Sequence, residues 1–411
     1  MGITTVVFAI GRLALVPWLV DTDGLTIGIA IDNKTYRGVQ QELVYALSTS
    51  GWHGWLAQTA PLHTRLYSLS FALLGKVFGG SILAVEPLNL VYYLATLTIV
   101  YMLGREIFSA QAGMIAATIT AILPSSLVLS TQLIRDPMSN MCLLALVLLL
   151  TALGARTLTW GHALLMMCAT IVVVGALWLA RGNIWSIVVI SLLTALVLVV
   201  VRMIGQKRFL VVNAIAIVIV MSAALVIPRL LESTTLPDTK PPIAALSLQK
   251  ANNDMGMFTR LLMQIAERRD GFLHSYSANT STIDNVRLLG AGDIIRYLPR
   301  ASEIGFLAPF PNMWLALGGE VGRTGRLASG CEMMLMYVIY VVAFVTLWTE
   351  RRRLQMWFIF IVATSGMIGL GLIVANAGAL YRLRYSFWMM LFVIASQGIL
   401  AISKRLMPDK F

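Results

Sequence analysis

Along the chain, apolar residues gather into runs of about twenty, separated by short polar segments. About 20 consecutive apolar residues are what a helix needs to cross the hydrocarbon of a bilayer. Ten runs come close to that length, at 3–20, 87–103, 108–127, 138–153, 162–180, 184–201, 209–227, 332–349, 355–375 and 386–402, and each predicts a membrane-spanning helix. A further run, 66–83, is interrupted by Lys76 and by glycines. It predicts a helix lying in the interface or only partly inserted.

The basic residues give these helices a direction. With the N-terminus in the cytoplasm, the inner segments are 104–107, 154–161, 202–208, 350–354 and 403–411. They carry Arg105, Arg156, Arg202, Lys207, Arg208, Arg351, Arg352, Arg353, Lys404, Arg405 and Lys410, against Arg135, Arg181, Arg382 and Arg384 in the short outer loops. Lys and Arg collect on the cytoplasmic side of a membrane, so the chain is expected in the cytoplasmic (inner) membrane with both termini in the cytoplasm. An eleventh crossing at 66–83 would reverse every later loop. Met1–Val20 has no basic n-region and no small-residue cleavage site, and reads as a retained first helix.

The predicted fold class is an all-α polytopic membrane protein of about ten transmembrane helices. Residues 1–227 form an N-terminal transmembrane module whose first outer loop, 21–86, contains interfacial helices. Residues 228–331 form a large outer loop, and 332–411 supply the C-terminal helices. Within the large loop, Leu248, Met255, Phe258, Leu262 and Ile265 recur at helical spacing and predict a helix over 247–270 that packs its apolar face on its own loop. That loop is too short for an independent enzyme domain with a large core, and is expected to cap the helices.

Composition narrows the class. The chain of 411 residues is 58% hydrophobic and 12% charged, about half the charge of a soluble domain. The net charge of +12 is concentrated in short loops, which suits lipid head groups and not nucleic acid. Cys142, Cys168 and Cys331 offer no disulfide framework or CxxC pair, and the four histidines show no zinc spacing. Apart from Arg12, ionisable residues are missing from the middle of the predicted helices. The acidic ones, Asp21, Asp23, Asp32, Glu42, Glu86 and Asp136, stand at outer ends or in outer loops. Coupled transporters use charges or broken helices near the midplane. The pattern therefore favours an enzyme that handles a lipid-anchored substrate at the outer face.

Four outer segments carry the candidate chemistry: Asp32-x-x-x-Tyr36, Thr131-Gln132-Leu133-Ile134-Arg135-Asp136-Pro137, Arg296 to Arg300 with the later Phe306-Leu307-Ala308-Pro309-Phe310-Pro311, and Tyr381-Arg382-Leu383-Arg384-Tyr385. A carboxylate such as Asp32, held at a membrane face beside aromatic and basic groups, can take a proton from a hydroxyl; a helix cap or a solvated loop charge is the other reading. Asp136 caps the fourth helix, shapes a site or binds a metal. Arg384 either binds phosphate or anchors the interface. His63, Trp52 and Trp55 read first as interfacial structure, and Asp21-Thr22-Asp23 as a chance match to a metal-binding triplet.

In order and spacing these motifs, with Pro61-Leu62-His63, Leu66-Tyr67 and Gly104-Arg105-Glu106-Ile107-Phe108, resemble the GT-C superfamily of membrane glycosyltransferases. That superfamily includes protein mannosyltransferases and the aminoarabinose transferase of lipid A. The resemblance covers most of the chain and points toward smaller bacterial relatives acting on envelope glycans. It implies a polyprenyl-phosphate sugar as donor, a glycan, lipid or protein acceptor, and transfer at the outer face with inversion. It implies Asp32 as general base, with Arg382 and Arg384, then Arg296 and Arg300, on the donor phosphate. Tyr36, His63, Arg135, Asp136 and Tyr385 would line the substrate pocket. No cofactor is certain; should a divalent metal take part, Asp136 is its candidate ligand. The competing readings are a polysaccharide polymerase or ligase using a diphosphate-linked oligosaccharide, and a lipid or polysaccharide transporter.

Overall fold

The computed structural model describes residues 32–130, 132–182, 185–207, 210–232, 257–275, 282–315 and 322–406. The predicted first helix at 3–20 and the Asp21-Thr22-Asp23 triplet lie outside them. In chain order the helices are α1 (Asp32–Ala57), α2 (Leu62–Phe78), α3 (Glu86–Ile107), α4 (Ala110–Ile122), α5 (Pro124–Ser130), α6 (Asp136–Ala155), α7 (Trp160–Arg181), α8 (Trp185–Gln206) and α9 (Val211–Glu232). They continue with α10 (Met257–Ser275), α11 (Ala291–Leu307), α12 (Pro311–Trp314), α13 (Gly322–Thr349), α14 (Leu354–Ile373), α15 (Ala377–Leu383) and α16 (Tyr385–Leu406). A 3-10 turn, Ile82–Val85, leads into α3. No strand is present among the described residues; Thr282 and Asn376 form one isolated bridge.

Eight of these helices, α3, α6, α7, α8, α9, α13, α14 and α16, are long and apolar enough to cross a membrane. They match eight of the ten predicted spans. The expected helix at 108–127 differs: it is broken into α4 and α5, which meet at 70°. Leu123 is extended there, with φ −63° and ψ 121°. The cause is Pro124, whose ring disfavours helical backbone in the residue before it. The run 66–83 becomes α2, which is not among the helices long and apolar enough to cross a membrane. The helix expected at 247–270 runs over Met257–Ser275 in the described residues.

The chain divides into two compact units. Unit 1 takes residues 1–229, 336–364 and 385–411; unit 2 takes 230–335 and 365–384. In unit 1, α6 is the most enclosed of the long apolar helices, 72% buried along its apolar stretch, and α16 follows at 67%. Helices α3 and α4 approach closely because Gly104 faces Gly113: a Cβ on Gly104 would lie 2.6 Å from the Gly113 Cα. Small residues let membrane helices bring their backbones together in this way.

One end of unit 1 gathers the basic loops. Arg156 donates to Glu106 at 2.8 Å, Arg202 to the Gly154 carbonyl at 2.9 Å, and Arg353 to the Ile107 carbonyl at 3.0 Å. Asn213 donates to the Arg156 carbonyl at 2.7 Å. The first turns of α3, α6 and α16 meet elsewhere, around a small cavity lined by Tyr92, Tyr93, Asn140 and Tyr385.

In unit 2, α11 is pressed onto the last turns of α14. A Cβ on Gly305 would overlap the Met367 carbonyl, and one on Gly371 would overlap that of Ala301. The guanidinium of Arg269 locks this contact. It donates to the carbonyls of Val286 at 2.7 Å and Leu372 at 3.0 Å and to the Tyr297 hydroxyl at 2.8 Å. It also lies over the Tyr297 ring at 4.5 Å.

The basic-loop asymmetry predicts which residues face out. With Cys168 and Cys331 replaced by serine, Asn285→Cys should react with a membrane-impermeant thiol reagent in intact cells, and Thr157→Cys only after lysis. The reverse pattern would overturn the expected orientation.

Candidate functional site

Unit 1 holds a buried polar cluster where α1, α2, α3 and α6 come together. Its shape begins with α1. The helix is interrupted at Gly51, with φ 61° and ψ −156°, a backbone region that side-chain-bearing residues rarely enter. The turn after Gly51 carries Trp55 inward, where its indole N–H donates to Ser68 at 2.9 Å. Trp55 was expected in an interfacial belt and is instead buried; Trp52 is exposed. Pro61 then starts α2 from an extended residue. Arg65 closes the intervening loop by donating to the carbonyls of Gln58 and Ala60 and lying 5.2 Å from the Trp55 ring centroid.

His63 and Tyr67 face one another one turn apart on α2. His63 is fully buried, edge-on to Tyr36 at 4.6 Å between ring centroids. Its Nε2 lies 3.1 Å from the Thr64 hydroxyl. The Tyr67 hydroxyl is 3.0 Å from Asn89 Oδ1 and 3.3 Å from the Ile134 carbonyl. Asp136, 1% exposed, receives a hydrogen bond from Arg181 Nη1 at 2.6 Å, and Arg181 is itself 7% exposed. Ser386 donates to Asn140 Oδ1 at 2.6 Å and ties α16 to α6.

Several buried atoms of this cluster have no protein partner among the described residues: His63 Nδ1, Asn89 Nδ2, both amide atoms of Gln132, Arg135 Nε and Ser139 Oγ. Buried polar groups are normally hydrogen-bonded. These atoms leave hydrogen-bonding capacity that water or a polar ligand could satisfy.

Electrostatics fixes the protonation of the cluster. Burial lowers the His63 pKa to about 3, and the nearby Arg135 and Arg181 add to the shift while Asp136 opposes it. The imidazole is thus neutral near pH 7. Burial also raises the Tyr67 hydroxyl well above its ordinary value, with the neighbouring Tyr92, Glu86 and Asp136 contributing.

Of the residues singled out from sequence, Tyr36, His63 and Asp136 belong to this cluster, and Arg135 adjoins it. Asp32 opens α1 one turn before Tyr36; its side chain lies outside the described residues. Tyr385 lines the small cavity at the start of α16. The four donor-phosphate candidates belong to unit 2. Arg384 is fully buried, with Nη1 3.4 Å from the Gly305 carbonyl, Nη2 2.9 Å from Met333 Sδ, and its guanidinium 5.4 Å from the Tyr381 ring centroid. Arg382 is also buried. Arg300 is held by Asp284 and Glu303 at 3.3 and 2.8 Å, while Arg296 is exposed on α11.

Asp136 does not cap α6 with its side chain. Arg135 occupies the N-cap position, and the Asp136 carboxylate faces Arg181. Nor do its surroundings fit a divalent metal. Its charged neighbours are arginines, and no group of three His, Cys, Asp or Glu among the described residues could hold an ion. Sequence reasoning left Tyr67, Asn89, Gln132 and Arg181 out of the site. Asn89 at the head of an apolar run and Arg181 at the end of another were the available signals.

No protein-family model and no curated protein matches the sequence. Two solved structures share its fold. One is ArnT from Cupriavidus metallidurans bound to undecaprenyl phosphate, at TM-score 0.51 and 14% identity over 98% of this chain and 61% of that one. The other is the archaeal oligosaccharyltransferase AglB from Archaeoglobus fulgidus, in complex with an inhibitory peptide and a dolichol-phosphate. It matches at TM-score 0.53 and 12% identity over 99% of this chain and 50% of that one. The chain thus spans about three-fifths of ArnT and half of AglB. What the likeness shows is the fold that this chain has in common with these two proteins.

Two outcomes follow from the cluster. Asp136→Asn leaves Arg181 buried without its carboxylate and should lower stability by about 3–5 kcal/mol. Replacing both partners, Asp136→Leu with Arg181→Met, should lower it less, as thermal unfolding in detergent will show. His63 binds its proton more readily in the unfolded chain, at about 6.5, than in the folded one, at about 3. Stability should therefore fall as pH drops from about 6.5 toward 3, by up to about 1.4 kcal/mol per pH unit. His63→Gln should remove that part of the slope.

Proposed function

We propose that the chain is a glycosyltransferase that moves a sugar from a polyprenyl-phosphate-linked donor to an acceptor hydroxyl at the outer face of the membrane. The observation that carries the reading is the buried polar cluster around His63, Tyr67 and Asp136, which Tyr36 of the Asp32-x-x-x-Tyr36 element joins, on a GT-C-like scaffold. The two proteins that share the fold hold undecaprenyl phosphate and dolichol-phosphate in their structures. Such a lipid has a long apolar tail and an anionic head, and suits a helical bundle with polar groups at one end.

In this reading the acceptor oxygen attacks the anomeric carbon from the side opposite the phosphate. The bond from that carbon to the phosphate oxygen breaks, and its electron pair leaves with the polyprenyl phosphate. The acceptor proton passes to Asp32. A single displacement inverts the anomeric configuration. Arg382 and Arg384 receive the phosphate, because a guanidinium stays charged and offers paired donors to its oxygens. Arg296 and Arg300 are the second choice; Arg300 already faces two carboxylates. Tyr36, His63, Arg135 and Tyr385 shape the pocket, and Asp136 holds Arg181 in place.

The test is Asp32→Asn with undecaprenyl-phosphate hexoses as donors. The variant should fold and bind donor as the wild type does, while turnover falls about 100-fold or more, the scale of general-base catalysis. Near-normal turnover would remove Asp32 as the base. A wild type that binds no polyprenyl-phosphate sugar and instead consumes a diphosphate-linked oligosaccharide would move the protein to the polymerase or ligase class.

A further inference from the structure

We infer that Arg135, together with the unpartnered buried groups gathered by Tyr67, forms a binding site for an oxyanion: the phosphate of a polyprenyl lipid or the carboxylate of an acidic sugar. The inference deepens the glycosyltransferase reading and rests on it for the choice of these two ligands. It departs from that reading at one point, where Arg135 only shapes the pocket.

The first observation is a surplus of charge. Three charged groups act on His63: Arg135 and Arg181, which are positive, and Asp136, which is negative. Arg181 and Asp136 face one another at 2.6 Å. Arg135 has no such counterpart. Among the described residues its guanidinium makes no ion pair and no hydrogen bond, and its Nε is enclosed. His63 is neutral and offsets nothing. Glu86 acts on Tyr67 and is not among the charges around His63. Arg135 as a whole is half-buried, so its other guanidinium nitrogens stay within reach of a ligand. A charge partly withdrawn from water and facing no acceptor is costly.

The second observation is the set of groups beside it. The Tyr67 hydroxyl lies 3.0 Å from Asn89 Oδ1 and 3.3 and 3.4 Å from the carbonyls of Ile134 and Gln132. It thus ties Asn89 to the residues that lead into Arg135. With Oδ1 engaged, Asn89 keeps its Nδ2 unpartnered, and the Gln132 amide has no partner at either atom. Ser139 stands one turn into α6, its N–H bonded to the Arg135 carbonyl at 3.0 Å, and its Oγ is unpartnered as well. Asn89, Gln132 and Ser139 are 0%, 3% and 2% exposed, so bulk water does not serve them.

What these groups lack is mainly an acceptor. Asn89 Nδ2, Gln132 Nε2 and Arg135 Nε are donors, and the Ser139 hydroxyl donates too. Donors without acceptors around a surplus positive charge are complemented by an oxyanion, whose oxygens accept several hydrogen bonds and cancel the charge. A neutral sugar hydroxyl would meet the donors and leave the charge. A cationic group would meet neither.

The test uses the full chain in detergent, as wild type, Arg135→Gln, Arg135→Lys and Gln132→Leu. Binding of undecaprenyl phosphate and of uncharged undecaprenol is measured by native mass spectrometry. Binding of methyl glucuronide and of methyl glucoside is measured by saturation-transfer NMR. Arg135→Gln should weaken one anionic probe about 10- to 100-fold, the scale of a hydrogen bond to a charged group. Arg135→Lys should keep most of that binding, Gln132→Leu should lose less of it, and the uncharged probes should bind all variants alike. Loss in the lipid arm identifies a phosphate site, and loss in the sugar arm a carboxylate site. Without ligand, Arg135→Gln should melt no lower than wild type, because it strands no partner. A lower melting temperature with unchanged anion binding would make Arg135 a structural residue and overturn the inference. If wild type binds undecaprenyl phosphate and Arg135→Gln binds both anions as tightly, the inference fails and the glycosyltransferase reading stands. If wild type binds methyl glucuronide through Arg135 but no undecaprenyl phosphate, the site stands and the polyprenyl donor falls. A wild type that binds neither anion overturns the inference.

Discussion

The buried ion pair of Asp136 and Arg181 is the constraint on which unit 1 depends. Apolar helices in lipid have little reason to prefer one axial register, because sliding exchanges one apolar neighbour for another. A carboxylate and a guanidinium removed from water are different. Each is tolerated only while the other faces it, and the loss of one partner leaves an uncompensated charge. The pair joins the first residue of α6 to the last of α7. Because α6 is the most enclosed of the candidate spans, its register is passed on to its neighbours. Asn140 to Ser386 carries it to α16. At the basic-loop end, Asn213 and Arg202 carry it to α9 and α8 through main-chain carbonyls.

Unit 2 solves the same problem by backbone contact. Gly305 and Gly371 let α11 lie against α14 without side chains between them, and Arg269 meets the carbonyls that end α14. Terminal carbonyls of a helix have no partner within it, so a buried guanidinium there both satisfies them and attracts the negative end of the helix dipole. Tyr297 passes the contact on. It accepts from Arg269 and donates to Asp284, which also faces Arg300. Arg300 is thereby drawn into the frame of unit 2, whereas Arg296 on the next stretch of the same helix stays exposed.

Much of the fold was legible in the sequence because the membrane imposes a coarse rule. Length and apolarity alone give the eight long spans, and basic residues alone group the loops that the structure brings to one end. The break at Pro124 was also written in the sequence, but an apolar run of the right length hides it. The candidate site was less legible. Tyr36 and His63 stand in motifs and do come together. Asn89, Gln132 and Arg181 acquire meaning only from what they face, since a polar residue at the edge of a span reads equally as an interface anchor. Trp55 shows the converse: its composition suits a belt, and the kink at Gly51 turns it inward. The partner of Asp136 lies 45 residues away, a separation that no local pattern reveals.

The protonation states of the cluster bear on the chemistry proposed for it. A group that accepts a proton from an attacking hydroxyl must be unprotonated beforehand and basic enough to receive it. His63 is unprotonated, but with a pKa of about 3 it is a poor base. Tyr67 keeps its proton, because burial and neighbouring acidic groups disfavour the phenolate. The Asp136 carboxylate already faces Arg181 at 2.6 Å, and protonating it would leave that guanidinium buried alone. The cluster is therefore suited to orienting hydroxyls and not to taking their protons. That is compatible with Asp32, which opens the helix that brings Tyr36 onto His63, as the proposed base. The division of labour is physical: a buried pocket fixes geometry best when its own groups do not change charge during the reaction.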